Sequence, residues 1–116
     1  MDYAFEANWQ KLIQKLEETF GEDLSVEAIL FLIGVQELGQ GSKKFKKDEK
    51  LNLMHIAICR VLEPYGYYKF SHLDQDQWPH YELLKPLPSL DDKEQKNLLK
   101  QAIIDYFEEE KIIPDL

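Results

Sequence analysis

The chain has 116 residues, 44% of them apolar and 31% charged, which is the size of one packed domain and excludes a disordered chain. Its net charge of -8 and pI near 4.8 exclude attraction to nucleic acid or to an anionic membrane unless positive charge is concentrated somewhere. A single cysteine, Cys59, excludes an internal disulfide and suits a reducing compartment.

The longest apolar run, residues 28–35, is far short of the roughly 20 residues that span a bilayer. The first ten residues lack the basic and apolar regions of a secretory signal, and no lipidation signal is visible. These features predict a cytoplasmic protein with no membrane partner. Residues 42–63 carry six basic and three acidic side chains, so the one basic region lies mid-chain and both ends are acidic.

A first helix is predicted from about Tyr3 to Phe20. Phe5, Trp9, Leu12, Ile13, Leu16 and Phe20 recur at helical spacing, with Asp2 as cap and Gly21 as a left-handed stop. A second helix is predicted after the cap Ser25, with Leu24 and Ile29 placed to form a hydrophobic staple. Its residues 29–33 are all apolar, which places it centrally, and Gly39 and Gly41 end it. A charged connector follows, then a third helix over about Glu49 to Glu63, capped by Asp48 and halted by Pro64. Its apolar residues cover more than one face, so the second and third helices are expected to pack together.

Residues 65–85 are rich in strand formers, with a turn at Asp74–Gln77. A four-residue loop pairs Leu73 with Trp78, Phe70 with Tyr81, Lys69 with Glu82 and Tyr68 with Leu83. Pro79 confines the second strand to an edge. A last helix is expected after the cap Ser89, with Asp92 at the third position and a buried stripe of Leu98, Leu99, Ala102, Ile103, Tyr106 and Phe107. The fold class is therefore α+β and predominantly helical. About four helices and one β-hairpin, in the order helix–helix–helix–strand–strand–helix, form a single domain over residues 1–116.

His55 and Cys59 stand four apart on one helix, as a thiolate pair or two metal ligands would, and His72 and His80 are candidates to complete a four-ligand site. Both helix residues lie in an apolar run, however, so core packing is the plainer reading, and neither a metal nor a cofactor is assigned. The stretch from Gly34 to Lys44 is not a phosphate-binding loop, because Gln40 and Gly41 follow Gly39 where that loop needs Lys and then Ser or Thr. Asp74 and Asp76 do not start a calcium loop, since the sixth position has no glycine and Lys85 holds the twelfth. Arg60, in an apolar run, should have an acidic partner, with Glu37 and Asp105 as candidates.

Lys43, Lys44, Lys46 and Lys47 are the anion-binding candidates. The order from Val26 to Leu84 looks like a winged helix, with residues 49–63 as recognition helix. That helix offers few polar groups (Asn52, His55 and Arg60), and the rest of the chain is acidic. Tyr67, Trp78 and His80 are the partner-binding candidates, on a hairpin face shared with Leu73, Lys69 and Glu82. No catalytic constellation is convincing, so the leading expectation is a non-enzymatic protein-interaction module, with a homodimer as one form. The alternatives are a winged-helix-like nucleic-acid binder using the loop over residues 43–50 and an enzyme or metal protein using His55 and Cys59.

Overall fold

A computed structural model of the chain describes residues 3–40 and 43–110. Asp2 and Gly41, expected at helix ends, and the apolar pair Ile112–Ile113 near the last residues lie outside the described residues. The elements are α1 (Tyr3–Phe20), α2 (Val26–Leu38), α3 (Lys47–Leu62), a 3-10 turn (Glu63–Tyr65), β1 (Tyr68–Leu73), β2 (Pro79–Leu83) and α4 (Asp92–Glu110). The predicted order of helices and strands is the observed one. The contacts fall into two compact units, one holding α1 and α4, the other running from Val26 to Ser89.

In the first unit α1 packs on α4. Trp9, Leu12 and Leu16 are buried along the apolar stripe of α1, while Phe20, expected on that stripe, is exposed. The helix stops where Gly21 takes a φ of 104° and its N–H reaches the Glu17 carbonyl at 3.0 Å. Lys100 of α4 places its ammonium 5.3 Å from the centre of the Trp9 ring. The cap of α4 is Asp91, not Ser89. Asp91 Oδ1 accepts the Glu94 N–H at 2.8 Å, and Glu94 Oε1 accepts the Asp91 N–H at 3.4 Å. The longer glutamate arm reaches back to the cap, which the aspartate three residues after Ser89 is too short to do.

In the second unit α2 and α3 form the largest interface. Gly34 allows it: a Cβ there would fall on the Leu53 carbonyl group and within 2.9 Å of the Leu53 Cβ. Helix α3 starts two residues earlier than expected, at Lys47. The Glu49 carboxylate accepts the Lys46 N–H at 2.8 Å, so Lys46 takes the cap position and Asp48 lies within the first turn. Arg60 has the acidic partner its setting requires, Glu37 Oε1 at 3.4 Å.

β1 and β2 form a two-stranded antiparallel sheet. Tyr68–Leu83, Lys69–Glu82 and Phe70–Tyr81 pair as expected, but the pairing then slips by one, to His72–His80 and Leu73–Pro79. The expected Leu73–Trp78 pair is therefore absent. The reason is a shorter loop: Asp74 N–H bonds the Trp78 carbonyl at 3.0 Å, and Gln77 takes a left-handed φ of 69°. That is the three-residue loop closed by a left-handed residue. A bulge at Ser71 absorbs the offset.

Candidate functional site

The slip redistributes the hairpin faces. Tyr68, Phe70, Leu73, Pro79, Tyr81 and Leu83 share one face, and Lys69, His72, His80 and Glu82 share the other. Leu73 thus leaves the face expected for it and joins Phe70 and Tyr81. Toward the helices the first face is anchored by Tyr81, which packs on a core of Leu38, Leu53, Ile56 and Trp78. Its outer members remain open: Phe70 is 43%, Leu73 50% and Leu83 56% exposed, and Leu84 and Leu87 follow in the same state.

Trp78 is buried at 9% exposure and is no part of that surface. Two bonds to Asp74, from its N–H at 3.0 Å and through its carbonyl, hold it beside the turn, and its indole meets the Phe45 ring edge-on at 6.3 Å. Tyr67 is half-buried under the Lys85 ammonium, 4.6 Å from its ring centre. His80 is exposed, with Nε2 2.9 Å from Asp74 Oδ2. Of the three partner-binding candidates, His80 alone presents an open side chain.

The sheet's outer edges are blunted. The Phe70 N–H is taken by Glu63 Oε2 at 3.0 Å, and Pro79 has no N–H to offer.

The lysine segment is a structured piece of surface. Phe45 points inward against Phe31 and Trp78, and Gln40 Nε2 donates to the Asp76 carbonyl at 2.8 Å. Lys43 donates to Gln40 Oε1 at 3.0 Å and lies 5.4 Å from the Phe45 ring centre. Lys44, Lys46, Lys47 and Lys50 are exposed, as are Leu51, Asn52 and His55 on the first half of α3.

His55 Nε2 is 3.6 Å from Cys59 Sγ. The thiol is buried, and desolvation pushes its pKa up to about 11, the opposite of what a nucleophile or a metal-bound thiolate needs. His72 and His80 lie elsewhere, stacked on each other, so the four-ligand arrangement does not form. Among the described residues no three His, Cys, Asp or Glu side chains gather around a metal-sized space. No helix of the described chain is long and apolar enough to cross a membrane.

Two features escaped the sequence. The Tyr81 hydroxyl is held well above the ordinary tyrosine range by burial first, then by Glu37 and Glu63, with Arg60 opposing them. The stacked pair His72–His80 depends on the bulge, for which one sequence carries no signal. Grooves of about 430 and 600 Å³ lie in the first unit, one lined by Phe5, Leu90 and Leu98, the other by Lys93, Lys96 and Lys100. Neither gathers a catalytic set of residues. No protein-family model matches the sequence, and no curated protein and no solved structure matches it.

Proposed function

We propose that the chain is a non-enzymatic protein-interaction module that docks through the exposed apolar side chains of its hairpin and of the segment that follows it. The observation that carries this reading is the run of open apolar side chains at Phe70, Leu73, Leu83, Leu84 and Leu87 beside a well-anchored core. The blunted edges support docking by side chains, and a homodimer is the simplest form of it. The unpaired thiol suits the cytoplasm. Light scattering over a wide concentration range should show self-association that Phe70→Ser with Leu83→Ser removes. A wild type that stays monomeric removes the homodimer form. Unchanged self-association in the variant removes the hairpin face.

A second reading rests on the exposed basic and polar groups over residues 43–55, which give α3 more of an outward polar face than its composition suggests. On that reading a DNA duplex binds at low salt and is lost steeply as salt rises. Alanine at Lys43, Lys44, Lys46 and Lys47 abolishes the binding. Absence of binding at low salt ends this reading. The thiol chemistry of the enzyme alternative is disfavoured by the raised pKa of Cys59.

A further inference from the structure

We propose that His72 and His80 form a two-imidazole site for a divalent first-row transition-metal ion, Cu2+ foremost, on the face of the hairpin opposite Phe70 and Tyr81. The two histidines are direct cross-strand partners, a placement that sets their Cβ atoms about 5 Å apart. Their rings stack nearly parallel, 4° apart, with centres 4.8 Å from each other. Two nitrogens bound to one ion at about 2 Å each lie roughly 3 Å apart, so a turn of one ring about its second side-chain torsion brings the pair into range. Both side chains are exposed, and no core packing opposes that turn.

One nitrogen of each ring is already engaged by an orienting oxygen. His80 Nε2 is 2.9 Å from Asp74 Oδ2, and His72 Nδ1 is 2.9 Å from Ser71 Oγ. Metal-bound histidines are oriented as His80 is here: a carboxylate takes one ring position and leaves the other nitrogen's lone pair for the ion. His80, fixed by a carboxylate that also accepts the N–H groups of Asp76 and Trp78, is the stationary ligand, presenting Nδ1. His72, tied only to its neighbour's hydroxyl, is the ligand that turns. The local charge favours a cation, since Asp74 and Glu82 flank the pair and Lys69 opposes them. Water completes the coordination. Imidazole ligands in an open tetragonal site, together with the general affinity order of these metals, select Cu2+.

The probe is Cu2+ itself, titrated calorimetrically into the full chain, with electron paramagnetic resonance to count the bound nitrogens. The expected result is one saturable site with two equatorial nitrogens. His72→Ala or His80→Ala abolishes it, and His55→Ala leaves it unchanged. His80→Gln keeps a donor for Asp74 while removing the metal-binding nitrogen, so loss of the site there separates ligation from a disturbed turn. Non-saturating uptake, binding retained in His80→Gln, or loss of binding in His55→Ala would overturn the proposal.

Discussion

Gly34 shows how much one missing side chain can decide. Gly34→Ala drives a methyl group into the Leu53 carbonyl, with backbone on both sides and no flexible end to yield. The helices must separate, and overpacking of this kind should cost about 3 kcal/mol, readable as a lowered denaturant midpoint. Cys59 gives a chemical readout of the same core. Its thiol should resist a thiol-specific reagent at pH 8 in the native protein and react within seconds after unfolding, since burial raises its pKa to about 11. Asp74 gives a pH readout. The hydrogen bond from His80, and after it the Trp78 amide, hold its carboxyl below the ordinary range. A depressed folded pKa means that the stabilisation is present above the unfolded value and is lost as pH falls through the folded one. The melting temperature should therefore drop on acidification below about pH 4, and less so in Asp74→Asn.

At the scale of elements, the hairpin depends on Trp78. Trp78→Ala removes a side chain packed on Leu38, Leu53, Ile56 and Phe45 and should cost about 4 kcal/mol, with loss of near-ultraviolet circular dichroism. This dependence was only half legible. The helices were readable because Trp9, Leu12 and Leu16, or Ile29 and Ile33, repeat at the helical period whatever surrounds them. Their caps were less so: Glu49 and Glu94 moved two of them by reaching back to Lys46 and Asp91, a competition between neighbours that geometry settles. The inner hairpin pairs were fixed by the Lys69–Glu82 and Phe70–Tyr81 matches. Beyond Phe70 the register rested on two local departures that propensity does not encode, a left-handed glutamine at Gln77 and an unpaired Ser71. That slip moved Leu73 and His72 between faces and brought two histidines together. The need of Arg60 for an acidic partner was plain, because a lone charge among apolar neighbours requires compensation, and Glu37 is one of the two candidates the sequence offered.

For the whole molecule, a charge of -8 sets the background against which any surface acts. Binding through residues 43–50 must overcome long-range repulsion and should weaken sharply with salt, whereas association through Phe70 and Leu83 should change little or strengthen as repulsion is screened. The salt dependence of a measured complex therefore assigns it to one surface or the other. The link between the α2–α3 loop and the hairpin tip, made by Gln40 to Asp76 and by Phe45 to Trp78, bears on folding order. A two-stranded hairpin is marginal alone, so β1 and β2 should survive only while the loop and helices hold them. Their amides should then exchange with solvent in step with those of α2 and α3, as one cooperative opening, and a peptide spanning residues 66–86 should have no persistent structure.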